Sequence, residues 1–146
     1  MKHGAIIQLL DREVDPAEYA EIRDLWKAHS IAEDNRDLDG LIATLTEDCV
    51  YELPHKGARW EGHDGAREFY TGLLGAIPDV DFRLQYIVIG PQGVCEEALA
   101  VGTFVKDWLD FRATGEPMEF RVVIFFPWDR ERRKFGGETV YFGIEA

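Results

Sequence analysis

A single carboxylate, Glu138, stands at the start of an apolar segment near the end of the chain, Thr139–Phe142. An ionised carboxylate in an apolar strand costs free energy unless a partner compensates its charge. In a pocket, the same burial disfavours the charged form and suits the acid to proton transfer near neutral pH. Glu138 is therefore a candidate acid–base group. The alternatives are a salt bridge with an arginine such as Arg121, or exposure at the start of the strand.

Two further residues could exchange or orient a proton beside such an acid. His29 recurs at helical spacing with Ile22, Trp26 and Glu33, so these side chains share one face of a predicted helix. A neutral imidazole can donate or accept a proton at physiological pH. Tyr51 lies on a predicted strand and offers a phenol hydroxyl. Both are candidate catalytic groups. The alternative for His29 is a core histidine satisfied by one carbonyl group, and for Tyr51 a core tyrosine with its hydroxyl at the rim.

Two adjacent acids, Glu96 and Glu97, precede Gly102 on a long predicted strand. Because side chains alternate along a strand, one of the two should face inward, and the spacing to Gly102 favours Glu97. An inward Glu97 close to Glu138 would form a carboxyl pair, in which like charges keep one member protonated. Two solvated carboxylates are the alternative.

No cofactor or metal is expected from the motifs. The histidines that flank Trp60, His55 and His63, have no further ligands at convergent spacing. The sequence also contains no Gly-rich phosphate loop, no nucleophile elbow and no Cys-x-x-Cys pair. Chemistry at the candidate residues would therefore be acid–base chemistry by side chains alone.

The composition limits the partners of this chain. Its 146 residues, 46% of them hydrophobic, fit one domain with a core. A formal net charge of -12 repels phosphate backbones and anionic membranes, so neither nucleic acid nor a membrane is an expected partner. The apolar run Ala5–Leu10 is too short for a secretory signal. Cys49 and Cys95 are expected as reduced, buried thiols. Together these features predict a cytoplasmic protein.

Helical periodicity in the first half of the chain gives way to strand-like patterns in the second. Helices are predicted from Asp15, Asp37 and His63. Strands are predicted at Cys49–Pro54, Val80–Ile89, Val94–Trp108, Met118–Trp128 and Phe135–Ile144, with Lys56–Gly62 as a loop. This order indicates an α+β fold in which a curved antiparallel sheet wraps around three N-terminal helices. One domain would span residues 1–146, with residues 1–15 as an N-terminal extension.

Several short motifs occur in an order that resembles a known family. They are Asn35–Asp39, Glu47–Tyr51, Gly62 with Phe69 and Tyr70, Pro78 with Asp79, Gly102 with Thr103, Ala113–Gly115 and Glu138–Phe142. From about Ile22 to Gly143 the chain resembles the SnoaL-like proteins of the nuclear transport factor 2-like superfamily. The resemblance implies a cone-shaped α+β barrel with a deep apolar cavity, and a homodimer formed through the sheet. The superfamily contains polyketide cyclases, ketosteroid isomerase and plain binding domains.

The chain departs from its relatives at their catalytic positions. Phe104 follows the Gly-Thr motif where family members often have histidine, and Gly143 replaces an aspartate. Both replacements remove groups resembling the cyclase acid–base pair. The chain is also similar to ketosteroid isomerase. There, His29 occupies the position of the oxyanion-hole tyrosine, Leu53 that of the general base and Ile124 that of the second oxyanion-hole residue. The resemblance thus implies the fold of these enzymes without either catalytic set.

Resemblance and strand alternation together predict a site inside the cone. Glu138 would be the acid–base group, with His29 and Tyr51 as polarising or orienting groups. The residues expected to contact the substrate are Trp26, Leu53, Trp60, Phe69, Phe82, Glu97, Ile124, Phe126 and Phe142. The first hypothesis is a cofactor-independent isomerase, cyclase or hydratase acting on an apolar, cyclic molecule. The second is a domain that binds an apolar ligand without chemistry, and the third is a domain whose sheet serves dimerisation only.

Overall fold

A computed structural model describes residues 3–143, and these contain four α-helices and a six-stranded sheet. The helices are α1 (His3–Leu10), α2 (Pro16–Asp34), α3 (Leu38–Ile42) and α4 (Gly62–Ala76). The strands are β1 (Leu45–Leu53), β2 (Ala58–Glu61), β3 (Asp81–Gly90), β4 (Gly93–Thr103), β5 (Pro117–Asp129) and β6 (Lys134–Phe142), and a 3₁₀ turn, Pro54–Lys56, lies between β1 and β2. Among the described helices, none is long and apolar enough to cross a membrane.

Helix α2 begins where the sequence predicts and carries the first candidate residue. The Asp15 side chain accepts a hydrogen bond from the backbone N–H of Ala17, and Pro16 occupies the first turn, where its missing N–H costs nothing. Ile22, His29 and Ala32 are buried on one face of the helix, which contacts β3 and β4. The helix therefore holds an imidazole against the inner surface of the sheet.

The sheet has the strand order β2-β1-β6-β5-β4-β3 and is curved without closing. Strands β3 to β6 form the predicted antiparallel meander. Strand β1 lies parallel to β6, with Tyr51 opposite Glu138, and this pair differs from the fully antiparallel sheet predicted. Parallel pairing is available because α4 and the meander separate β1 from β6 along the chain, so the connection is long. The predicted α+β class is confirmed.

Close approach of β1 and β6 depends on a glycine next to the candidate acid. Gly137 lies opposite Val50 and has a φ of 114°, in the region that disfavours side chains. A Cβ atom at this position would lie 1.9 Å from the carbonyl oxygen of Val50. The absence of a side chain thus allows β6 to pack against β1 and sets the position of Glu138.

Some element boundaries differ from the sequence predictions. Helix α1 occupies much of the predicted extension, residues 1–15, of which residues 1–2 lie outside the described part of the chain. Strand β2 replaces the predicted loop around Trp60, because its residues pair with β1. Strand β4 ends at Thr103 rather than Trp108. Ile144, the predicted end of the last strand, lies beyond the described residues.

The prediction that Glu97 faces inward is wrong. Gly102 belongs to the inner face, since a Cβ atom there would lie 2.4 Å from Cγ2 of Ile77. Glu96 is an even number of residues away and shares this face, with 8% of its surface exposed. Glu97 points to the outer face and pairs with Arg121.

The expectation of two buried thiols holds for one cysteine only. Cys49 is buried, whereas Cys95 is exposed on the outer face, next to Glu96 in sequence. Apolar residues occupy both faces of β4 and β5, so a run of apolar character along these strands does not identify the buried side.

Candidate functional site

Glu138 lies at the inner surface of β6 and is almost fully buried, with 3% of its surface exposed. The Tyr70 hydroxyl donates to Oε2 of Glu138 over 2.5 Å, and Nε2 of His29 lies 3.1 Å from the same oxygen. Both of these contacts fall on Oε2 rather than on Oε1. Neither alternative for Glu138 applies, because the residue is buried and Arg121 pairs with Glu97 instead.

His29 is held at both ring nitrogens. Nδ1 lies 2.7 Å from Oγ1 of Thr44, and the Thr44 hydroxyl donates to the carbonyl oxygen of Leu41 over 2.7 Å. The edge of the Phe126 ring contacts the imidazole, with ring centroids 5.3 Å apart. Nε2 is thereby directed at Glu138 and at the Tyr70 hydroxyl, 3.0 Å away.

Two tyrosine hydroxyls extend the network. The hydroxyls of Tyr51 and Tyr70 lie 2.8 Å apart. Burial, followed by the charge of nearby Glu138, raises the pKa of both phenols well above the ordinary value. Both tyrosines therefore stay protonated at physiological pH and serve as hydrogen-bond donors rather than bases. The acid is thus surrounded by neutral donors and an imidazole, without a permanent cation.

One proton must lie between Nε2 of His29 and Oε2 of Glu138. Without it, lone pairs of two buried atoms would face each other at 3.1 Å. The pair is either imidazolium with carboxylate or imidazole with carboxylic acid, and these forms differ only in the position of the same proton. Such a pair can accept a proton from a bound molecule and return it, as acid–base catalysis requires.

Two more acids, Glu33 and Glu96, lie near Glu138. Burial, and then the charge of Glu138, raises the pKa of Glu96 to about 8. Glu33 is partly exposed as a residue, but its side chain lines the cavity that also contains Glu138. Burial, and then the charges of Glu138 and Glu96, raise the pKa of Glu33 well above the ordinary value. The indole of Trp26 lies close to Glu96 and lowers the pKa of Glu96 slightly against these two effects. The indole N–H itself makes no hydrogen bond of good geometry. Near neutral pH Glu96 is therefore mainly protonated.

A narrow cavity lies beside Glu138. Its volume is about 10 Å³, which is space for one water molecule. Glu33 and Glu138 line it together with apolar side chains, which are Phe69, Leu73, Phe82, Val122, Ile124, Val140 and Phe142. The deep open cone that the resemblance implies is therefore nearly filled in this structure.

Aromatic rings pack around the end of this cavity. Trp108, from the β4–β5 connection, packs against Phe69 and Phe142, with centroids 5.8 and 6.1 Å apart. Phe111, from the same connection, lies 6.3 Å from Phe142, and Trp60 lies 5.1 Å from Phe69. We call Trp60, Trp108 and Phe111 the aromatic cover. These rings pack against Phe69 and Phe142, two of the side chains that line the cavity.

Larger concavities occur on the outside of the molecule and share no lining residue with this cavity. One, of about 630 Å³, lies between Arg12, Asp48 and Arg130, and another, of about 530 Å³, lies beside His63 and Lys134. Both are open to solvent and contain charged side chains that water stabilises. Among the described residues, no group of histidine, cysteine and acidic side chains is arranged to hold a metal ion. The buried acid therefore makes the small cavity the candidate site.

The structure brings the three candidate catalytic residues into one network, with Tyr51 joined to Glu138 and His29 through Tyr70. Among the predicted substrate contacts, those that line the cavity are Phe69, Phe82, Ile124 and Phe142. The remaining ones lie elsewhere: Leu53 and Phe126 in the core, Trp60 in the aromatic cover, Trp26 beside Glu96, and Glu97 on the outer face.

The sequence predictions miss three members of the site. Tyr70 is predicted only as part of the apolar stripe of α4, although a buried tyrosine needs a partner for its hydroxyl, and this need is a usable signal. Thr44 lies in the short connection between α3 and β1 and follows no recognisable pattern. Glu96 is missed because its neighbour is assigned to the inner face.

A curved, unclosed six-stranded sheet with helices on its inner face is the nuclear transport factor 2-like fold. The SnoaL-like domain model matches residues 21–133, so the chain belongs to the SnoaL-like family. A comparison with curated proteins finds no match.

Solved structures agree with this fold. A candidate SnoaL-like polyketide cyclase from Jannaschia superposes with a TM-score of 0.73 at 14% identity, over 90% of this chain and 91% of that one. A candidate polyketide cyclase from Xanthomonas campestris gives 0.67 at 21%, over 85% and 91%. AclR from Streptomyces galilaeus, a candidate hydroxylase, gives 0.68 at 18%, over 85% and 79%. At such identities the similarity shows the fold alone.

The two positions that resemble the cyclase acid–base pair have structural roles here. Phe104 is buried and packs against Phe111, with ring centroids 6.0 Å apart. The backbone N–H of Gly143 donates to the carbonyl oxygen of Arg121 over 2.8 Å. Buried titratable side chains are found instead around Glu138: His29 and Glu33 on α2, Tyr51 on β1, Tyr70 on α4 and Glu96 on β4.

Proposed function

We propose that this protein catalyses cofactor-independent proton transfer on a small, apolar, cyclic molecule, with Glu138 as the acid–base group. The observation that carries the proposal is the hydrogen-bonded set of Glu138, His29 and Tyr70 beside an apolar cavity. Isomerisation, cyclisation and hydration all include such a transfer. The formal net charge of -12 supports a small neutral substrate over nucleic acid.

In the proposed reaction, Oε1 of Glu138 takes a proton from a carbon next to a carbonyl group of the substrate. The electron pair of the broken C–H bond moves to the carbonyl oxygen and forms an enolate. His29 holds the shared proton at Nε2, and its positive charge compensates the negative charge of the enolate. The Tyr70 hydroxyl keeps Oε2 in place. Return of the proton to a different carbon gives an isomer and restores Glu138.

A second candidate is a binding domain for an apolar ligand without catalysis. Two observations favour it: the cavity has a volume of only about 10 Å³, and Phe104 and Gly143 replace groups of the cyclase type. In this case the network around Glu138 would serve to satisfy buried polar atoms.

Deuterium uptake distinguishes the two candidates. Cyclohex-2-enone and 1-tetralone are incubated with the protein in D₂O, and uptake at carbon is followed by mass spectrometry. We expect Glu138→Gln to slow uptake by about 10²- to 10⁴-fold, the usual contribution of a positioned acid–base group. Glu97→Gln is the control, since it removes an acid on the outer face. Equal rates in both variants would contradict catalysis by Glu138. Saturable binding without uptake would favour the binding domain.

We further propose a homodimer formed through the outer face of the sheet. Five large side chains on this face are exposed by 37% or more; they are Tyr86, Val88, Val123, Phe125 and Tyr141. Register places Val88 and Phe125 on either side of Cys95, and Val123 beside Tyr141, so the residues form one apolar patch. Phe125→Glu should give a monomer in analytical ultracentrifugation, whereas Val105→Glu, on an exposed connection, should not. A monomeric unmodified chain at micromolar concentration would contradict this proposal.

A further inference from the structure

Thr44 connects α3 to β1 and is buried, with 3% of its surface exposed. Its hydroxyl contacts two groups. Oγ1 lies 2.7 Å from the carbonyl oxygen of Leu41 and 2.7 Å from Nδ1 of His29. Nothing in the proposed proton transfer uses this residue, because it touches neither the cavity nor Glu138.

The hydrogen positions around Thr44 follow from these distances. Two oxygens at 2.7 Å need a hydrogen atom between them, and a carbonyl oxygen has none to give. The single hydroxyl hydrogen of Thr44 therefore points at Leu41. Oγ1 can then only accept from His29, so Nδ1 must carry a hydrogen. The tautomer of the imidazole is thus assigned by its hydrogen-bond network.

We propose that Thr44 is a positioning residue that fixes His29 as the Nδ1–H tautomer and leaves Nε2 as the only nitrogen that exchanges a proton. This role rests on the proposed function, because it orients the shared proton toward Glu138. Were the tautomer reversed, Nδ1 would hold a lone pair against Oγ1, and a neutral imidazole could no longer accept a proton from Glu138.

Among the described residues, Thr44 alone forms a hydrogen bond with Nδ1. The rings of Phe126, Phe135 and Tyr70 surround the imidazole, and their edges hold its plane without a hydrogen bond to Nδ1. The titratable groups around the ring lie on the Nε2 side of the network: Glu138 on β6 and Tyr70 on α4 contact Nε2, and Tyr51 on β1 lies beyond Tyr70. Glu33, on the same helix, and Glu96, on β4, add charge near Glu138 only when ionised.

The test is a ¹⁵N NMR spectrum of the resting protein labelled at histidine, with the His29 signals identified by their loss in His29→Gln. We expect Nδ1 of His29 to be protonated in the unmodified chain. Thr44→Val removes the acceptor at nearly constant volume and should shift the tautomer toward Nε2–H. Thr44→Ser keeps the hydroxyl and should restore the original spectrum. Thr46→Val is the matched control, since it makes the same change at a buried position two residues away.

The outcomes separate this inference from the proposed function. An unprotonated Nδ1 in the unmodified chain, or an unchanged tautomer in a folded Thr44→Val variant, would overturn the inference. The spectrum of the unmodified chain decides the assignment even if Thr44→Val does not fold. The measurement needs no substrate, so it stands if no deuterium uptake is found. Where uptake is found, Thr44→Val should slow it about 10- to 100-fold, the effect seen when a metal-binding histidine loses the partner that orients it, and should move its pH profile.

Discussion

Glu18 at the start of α2 and Glu138 on β6 are both shielded from solvent, with 6% and 3% of their surface exposed. Arg130 and Arg133 donate to Glu18 through hydrogen bonds of 2.8 to 3.2 Å. His29 and Tyr70 contact Glu138 instead. The hydrogen bonds of Glu18 join α2 to the turn between β5 and β6. The hydrogen bonds of Glu138 join α2 and α4 to the inner face of the sheet.

The two acids differ in depth and in the kind of partner. The arginines over Glu18 are about half exposed, so Glu18 is covered by a thin layer of side chains near the surface. The hydrogen bond from Arg130 is the main reason why the pKa of Glu18 is lowered. Permanent cations hold this acid in its charged form, whereas the partners of Glu138 carry protons that can move. The kind of partner, more than burial, therefore separates a structural acid from a candidate catalytic acid.

The largest expected effect is a pH dependence of stability that originates in the interior. The pKa of Glu96 is about 8 in the folded chain, against an ordinary 4.5. Between these values the folded state binds the extra proton, so the stabilisation is complete below about pH 4.5 and is lost as pH rises through 8. We expect a loss of about 1.4 kcal/mol per pH unit, on the order of 5 kcal/mol in all, measured by urea unfolding.

Glu96→Gln should remove the contribution of Glu96 to this slope, because the amide does not titrate, and should leave the contribution of Glu33. Glu97→Gln, its neighbour on the outer face, should leave the slope as it is. The assignment of Glu96 as a protonated interior acid fails if both variants keep the slope of the unmodified chain.

An intermediate effect is expected on breaking the hydrogen bonds of the imidazole. His29→Ala removes partners from Glu138, Tyr70 and Thr44 at once and leaves a space in the core. We expect a decrease of about 3 kcal/mol in the free energy of unfolding at pH 7. His55→Ala, at an exposed histidine, should change it by less than about 0.5 kcal/mol. Similar losses in the two variants would show that the network contributes no particular stability.

The smallest effect is expected at Glu18, and it has the opposite pH sign. Because the pKa of Glu18 is lowered, its contribution is present above the ordinary value of 4.5 and is lost as pH falls through the folded-state value. Glu18→Gln should lower the stability at pH 7 by about 1 kcal/mol or less, since both arginines remain half exposed to water. The difference from the unmodified chain should shrink in acid, and a difference that grows there would contradict this account.

Local patterns predict much of the fold and several members of the site. The face shared by Ile22 and His29 follows from helical spacing, and the inward position of Glu138 follows from its apolar strand. The family motifs, spread along most of the chain, predict the α+β class.

The sequence does not predict features that depend on which strands pair or which side chains pack together. Glu96 and Glu97 cannot be distinguished from sequence because both faces of β4 carry apolar residues, and only packing against Ile77 identifies the inner one. The parallel pairing of β1 with β6 joins segments far apart in the chain, and β2 is too short to predict without its partner. Thr44 acts through one hydroxyl in a connection, which no periodicity marks.

Gly137 contributes no functional group, yet the site depends on it. Any side chain at this position meets the backbone of Val50 and must move β6 away from β1, carrying Glu138 with it. In a scan of every single substitution, residue 137 would therefore be as sensitive to substitution as Glu138. Substitutions at Gly137 would have the same effect as loss of a reactive group. Mutational sensitivity in this molecule thus measures how closely two backbones approach, as well as which side chains meet a ligand.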